Sequence, residues 1–280
     1  MPSFDLSRSR FRLSDEHVQV LVLLATARDL PDELSEPRDA LRACGLVNER
    51  GQLAHALVPM METLLSPVVV VSLEAASRQG ELHHGVLIGE DHVLSHQAWP
   101  GTPEAEYALV EPKMLVWALA NMVNLQQNAA RRDTASQVVE TTMGTVESGL
   151  EALKAVPFIE ARGEDRDHIR KALASDGALA EPALVLLTDL IAELRSSWRL
   201  TSAWQGRRDG DDGVESRGLA VWDCGPLGYW HRETPAEPVA SDDIGPDTAL
   251  RFVRVEPRQV WQMITDLLPD GSEMRPGAQR

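Results

Sequence analysis

Four histidines crowd one short stretch, HHGVLIGEDHVLSH, as His83, His84, His92 and His96. Imidazoles at that density are the commonest route to a metal centre. A two-residue turn at Gly89-Glu90 would set His83 opposite His96, close enough to share an ion. Only two ligands converge, however, and no third is apparent, so the histidines read as a solvated strand face and no metal is expected. The acidic run GRRDGDDGVESRG, with Asp209, Asp211 and Asp212, lacks the ligand spacing and closing glutamate of a calcium loop. Asp242 and Asp243 lie in a Pro/Gly-rich stretch that would hold them too loosely for acid–base work. No GxSxG, GxxxxGK[ST], GxGxxG or HExxH occurs. No cofactor is implied, and the chain reads as a binding protein and not an enzyme.

The side chains best suited to binding are aromatic. Five of the seven tryptophans, Trp198, Trp204, Trp222, Trp230 and Trp261, fall in the second half. Trp222 alternates away from Leu219 and Val221, so it faces the other side of its sheet. Such rings form either an interface platform or a core covered by helices on both faces. Trp222, Tyr229, Trp230 and Arg232 replace smaller residues of the first half's hairpin and are the expected partner-binding set.

These residues need elements to position them, and the chain writes its elements twice. YALVEPKMLVWALANMV and LRFVRVEPRQVWQMITDLL share Val-Glu-Pro-basic followed by an apolar run, with Glu111 to Glu256 and Pro112 to Pro257 both 145 apart. The residue before a proline is pushed to extended geometry and proline suits a first helical turn, so each junction predicts a strand becoming a helix. Reading backwards, the halves keep step. Ser14 N-caps a helix opened by Asp15 and Glu16. ALRACGL ends one at Gly45. Pro59 starts or kinks the next. In the second half, Val139, Met143, Val146, Leu150 and Leu153 form a narrow apolar seam on one helix, ALASDGA echoes ALRACGL at Gly177, and EPALVLLTDLIAELRSS supplies another. VVVVSLEA and WRLTSAW predict strands, and LHHGVLIGEDHVLSHQAW and RGLAVWDCGPLGYWHRE predict hairpins. TPAEPVASDDIGPDTA is a surface insertion.

The expected fold is therefore α+β: a central antiparallel sheet flanked by two helical bundles, from two copies of an ααα-βββ(β)-α unit related by a pseudo-two-fold axis. Residues 13–127 and 133–269 are the halves of one compact domain, with 1–12 and 270–280 as flexible tails.

Composition sets limits. The chain has 280 residues, 43% hydrophobic, and no apolar run near the ~20 residues of a membrane span. No signal peptide is visible, which points to the cytoplasm. Cys44 and Cys224 stand far apart in no metal or disulfide spacing. A net charge of −16 repels phosphate backbones and anionic lipids, so neither nucleic acid nor membrane is an expected partner. Arg8, Arg10 and Arg12 read as part of a solvated tail.

ALRACGLVNERGQLAHALVPMMETLLSPVVVVSL resembles the N-terminal half of the EspG family, the chaperones of type VII (ESX) secretion in actinobacteria, and VRVEPRQVWQMITDLLP resembles that family's closing strand, helix and Leu-Leu-Pro ending. The resemblance spans roughly residues 13 to 269. It implies the quasi-two-fold fold above and a cytosolic, non-enzymatic chaperone, monomer or weak homodimer. Its client would be a helical secreted protein, PE-PPE or WXG-type, held soluble by its apolar tip. The alternative is a tandem winged-helix regulator, whose recognition helices, LRACGL and LTDLIAELRS, would be unusually poor in basic charge.

Overall fold

The computed structural model describes residues 1–5, 7–126, 133–134, 136–155, 162–175, 179–206, 213–234 and 244–274. The first half runs β1 (Ser3–Asp5), β2 (Arg10–Ser14), α1 (Asp15–Ala25), α2 (Ser35–Ala43), α3 (Val58–Leu65), β3 (Val69–Ser77), β4 (Gly80–Ile88), β5 (Val93–Ala98), β6 (Glu104–Val110) and α4 (Leu115–Met122). The second runs β7 (Val138–Thr142), α5 (Met143–Ala155), α6 (Arg162–Leu173), α7 (Glu181–Ala192), β8 (Ser196–Gln205), β9 (Val214–Asp223), β10 (Tyr229–Arg232), β11 (Ala249–Val255) and α8 (Pro257–Asp266).

Both Val-Glu-Pro junctions turn a strand into a helix. Glu111 and Glu256 are extended, with ψ of 131° and 150°, as the following proline demands. Pro112 opens a single 3₁₀ turn leading into α4, and Pro257 opens α8, where Glu256 and Gln259 cap one another reciprocally. Gly45 follows α2 at φ +81°, the left-handed geometry that ends a helix. Pro59 lies in the first turn of α3, so it starts that helix and does not kink it.

Among the described residues the strands form one antiparallel sheet of eleven, in the order β1-β2-β6-β5-β4-β3-β8-β9-β10-β11-β7. The halves meet at its centre, where β3 and β8 pair over nine residues from Val69↔Trp204 to Ser77↔Ser196. Alternation sends Leu73, Val86, Leu200, Leu219 and Val221 to one face, under α4 and α8. On the opposite face α1–α3 cover Phe11, Leu13, Leu94 and Tyr107, while α5–α7 cover Val139, Trp222, Trp230 and Phe252. Between these bundles the sheet is open, and Val70, Ser72 and Glu74 are exposed.

Three expectations change. Residues 3–5 and 10–12 of the expected tail lie in β1 and β2: β2 pairs with β6, and Arg10 and Arg12 meet Glu106 and Glu104 at 3.0 and 2.7 Å. Val139 belongs to β7, because the β-branched run Val138–Thr142 pairs with β11 before the helix begins at Met143. The winged-helix alternative loses its reading helix, since α7 buries Leu184, Leu187, Leu190 and Ile191 and the hairpins join one continuous sheet. Gly177 lies outside the described residues.

The cap of α1 is pH-sensitive. Ser14 Oγ accepts from the His17 amide, while His17 Nδ1 accepts from the Ser14 amide at 3.1 Å and lies 2.6 Å from Ser14 Oγ. Burial, and then the positive N-terminus, lower His17 below its ordinary 6.5, against the opposing pull of Glu104 and Glu16. Folding therefore favours the neutral ring, and this stabilisation is present above pH 6.5 and lost on acidification below it. His84, His96 and His231 are shifted the same way by burial. The melting temperature is expected to fall between pH 7 and pH 5. His17→Gln keeps an acceptor for the Ser14 amide and should flatten that fall; an unchanged slope in thermal melts would remove His17 from the account.

Candidate functional site: a groove between the sheet and the second helical bundle

Where the open sheet face runs into α5 there is a cavity of about 390 Å³. Its floor follows from residue size along two register rows. One row reads His83–Glu74–Arg199–Ala220–Arg232–Phe252, and the next reads Glu81–Ala76–Ser197–Trp222–Trp230. The small residues Ala76, Ser197 and Ala220 leave a trough at the centre of the sheet. Met143, Val146 and Leu150 of α5 form its wall, and Trp222 closes its rear against Phe252, with ring centroids 4.5 Å apart. The trough continues toward the β3–β4 turn as a second space of about 590 Å³, lined by Arg78, Leu153, Lys154 and Arg195. Its two parts share Ala76, Glu81, Leu150 and Ser197. Arg78 lies 3.7 Å from Asp165 of α6, tying the β3–β4 turn to the second bundle.

Five basic side chains, Arg78, Lys154, Arg195, Arg199 and Arg232, line this trough against three acidic ones, Glu74, Glu81 and Glu147. That local balance runs against the −16 of the whole chain. Arg232 is half-buried and held below its usual basicity first by burial and then by the neighbouring Arg199. A trough with an apolar wall and rear and charged side chains along its floor suits a protein segment with an apolar apex flanked by polar residues.

The expected binding residues divide. Trp222, 7% exposed, and Arg232 line the groove. Tyr229 and Trp230 do not reach the surface. Tyr229, 2% exposed, points to the other face of the sheet, where its hydroxyl accepts from the Gln126 amide at 2.9 Å. Trp230, 0% exposed, lies under α5–α7 and donates from Nε1 to Leu227 O at 3.2 Å. The cause is physical: at Tyr229 and Trp230 helices cover both faces of β10, so alternation there moves a ring from one core to another and never to solvent. The exposed tryptophans are in the first half, Trp99 and Trp117, each 52% exposed.

The histidines are also rearranged. The Gly89 amide bonds to His92 O, making a four-residue loop closed by Ile88↔Val93. His96 therefore faces Gly85 and not His83, while His84 Nδ1 accepts from the Ala98 amide at 3.0 Å. Among the described residues no group of three or more His, Cys, Asp or Glu side chains is placed to hold a metal ion. Asp209, Asp211, Asp212, Asp242 and Asp243 lie outside the described residues. The seam read from the sequence does reach the site, through Met143, Val146 and Leu150. Arg199 was missed, though its alternation with Trp198 and Leu200 in WRLTSAW places it opposite the core face.

One solved structure with this architecture is the Mycobacterium tuberculosis type VII secretion system chaperone EspG5, determined in complex with the PE25-PPE41 dimer. It matches with a TM-score of 0.57 and 14% identity, over 95% of this chain and 99% of that one. The fold is the EspG fold. At that identity the likeness lies in the arrangement of helices and strands, not in the groove's side chains. No protein-family model matches the chain, and no curated sequence matches it. Among the described residues no helix is long and apolar enough to cross a membrane.

Proposed function

We propose that this chain is a cytoplasmic, non-enzymatic chaperone of a type VII (ESX) secretion system, which holds a helical-hairpin client of the PE-PPE or WXG type soluble before export. The observation that carries this reading is the groove beside α5, with an apolar wall and charged side chains along its floor, within a fold shared over nearly the whole length with EspG5. A helical hairpin with an apolar tip aggregates when that tip meets water, and a trough that accepts the tip removes it from solvent. The groove offers apolar surface and charge, which are means of binding and not of bond making. We read the active species as a monomer or weak homodimer, and residues 13–127 and 133–269 as copies of one unit, a reading supported by a strand order that places β3 and β8 centrally and β2 and β7 toward the two edges.

Coexpression with a secreted helical-hairpin protein encoded beside this chain tests the proposal. A soluble one-to-one complex should elute on sizing, and Leu150→Arg, which puts a charge on the half-buried groove wall, should lose it while melting within a few degrees of the parent. A client equally soluble with and without the chaperone, with no complex on the column, defeats the reading. Retention of the chain on heparin at low salt would turn attention back to nucleic acid.

A further inference from the structure

Arg199 on β8 and Arg232 on β10 both take Ala220 of β9 as their register partner, so the two side chains leave the same face of the sheet on either side of a single methyl. A larger residue at position 220 would hold them apart. Two residues along β9, Trp222 closes the rear of the groove. Neither arginine makes an ion pair among the described residues. The acid nearest by register, Glu74, pairs with Arg199 on the side away from Arg232 and is itself exposed. Glu81 and Glu147, the other acids lining the cavity, are exposed. Arg232 is half-buried and its neighbour is another cation, an arrangement that is unfavourable until an anion enters.

We propose that Arg199 and Arg232 form a carboxylate-binding site, which takes an aspartate or glutamate side chain carried beside the apolar apex of the client's inserted segment. The inference rests on the groove receiving a protein segment and adds the chemistry by which one would be selected. Arginine meets a carboxylate with two parallel N–H···O bonds, and two arginines across one alanine can engage both oxygens together. The apolar wall of α5 lowers the local dielectric and strengthens that attraction. A client tip with glutamine at this position would fit the trough but leave Arg232 unpaired, so the site separates clients of similar shape by charge.

The test needs no client. 4-Phenylbutyrate supplies an aromatic ring for the trough and a carboxylate for the arginines, 4-phenylbutyramide removes the charge alone, and inorganic phosphate supplies an anion without the ring. The Nε–Hε resonances of Arg199 and Arg232, assigned by Arg199→Gln and Arg232→Gln, are followed by NMR on the intact chain. The butyrate is expected to move both and to saturate them at a concentration about tenfold or more below the amide, as charge-assisted bonds require. Either glutamine variant should abolish that advantage, and because Arg199 is exposed its variant separates charge from packing. Equal binding of butyrate and amide, immobile resonances, or phosphate saturating them at the same concentration as the butyrate would each overturn the site. Carboxylate binding with no client complex would defeat the chaperone reading alone, and the reverse result would defeat this inference alone.

Discussion

Trp230→Ala is expected to lower the melting temperature by on the order of 10 °C, the largest single loss of stability anticipated in this chain. The indole is fully enclosed, pairs across β9 and β11 with Trp222 and Arg254, and satisfies its N–H on Leu227 O. Truncation removes more apolar volume than at any other fully buried position among the described residues and opens a hole that β10, held on both sides, cannot close. Large-to-alanine changes at such sites cost about 3–5 kcal/mol. Trp117→Ala, on the exposed face of α4, is the control and should melt within a degree or two of the parent. Similar melting temperatures for the two variants would show that the second bundle repacks over β10, contrary to the enclosure described.

Gly149→Leu should disable the groove from behind. Gly149 lies on α5 where that helix crosses its bundle partners: even a Cβ there would stand 2.6 Å from Ile191 Cδ1 and 2.8 Å from Leu173 Cδ2. A leucine needs several times that space, and α5 can give it only by moving off α6 and α7. The displaced wall carries Val146 and Leu150, so the trough changes shape without any groove side chain having been altered. The expected result is a loss of about 1–3 kcal/mol together with loss of the client complex. Gly149→Ala sets two terms against each other. Its methyl meets the ends of flexible side chains, while alanine gains about 1 kcal/mol of helix propensity over glycine. It should be near neutral in a melt and keep the complex. A Gly149→Leu protein that binds its client as the parent does would show that α5 is not a wall of the binding site.

The contrast between α4 and β2 shows how far residues alone could take the reading. Val-Glu-Pro is a local device: proline acts on the residue before it and on its own turn, so both strand-to-helix steps were legible from a few positions. Ser14, Gly45 and Pro59 work the same way. β2 and β7 were not legible, because Arg-Phe-Arg-Leu-Ser and Val-Val-Glu-Thr-Thr become strands through partners far along the chain, β6 and β11. The same limit governs the site. Alternation set Trp222 correctly on the face opposite Leu219 and Val221, but whether that face meets water depends on α5–α7, which no spacing within β9 records. His96 shows a finer version: one backbone bond, Gly89 to His92, lengthened the turn and changed its cross-strand partner.

The seam between β3 and β8 bears on how this chain is made. Everything β3 needs on its outer side, β4, is in place once Ile88 has been added, but its inner side waits for β8, complete only at Gln205. At roughly 5–20 residues per second that gap is on the order of ten seconds on the ribosome. During it, a first half that has already formed presents nine unpaired residues, with Val69, Val70 and Val71 leading, as an open edge. A neighbouring nascent chain on the same message offers an identical edge at the same moment. Two such edges can zip together where each should have met its own β8, so crowding on polysomes is a hazard this architecture carries.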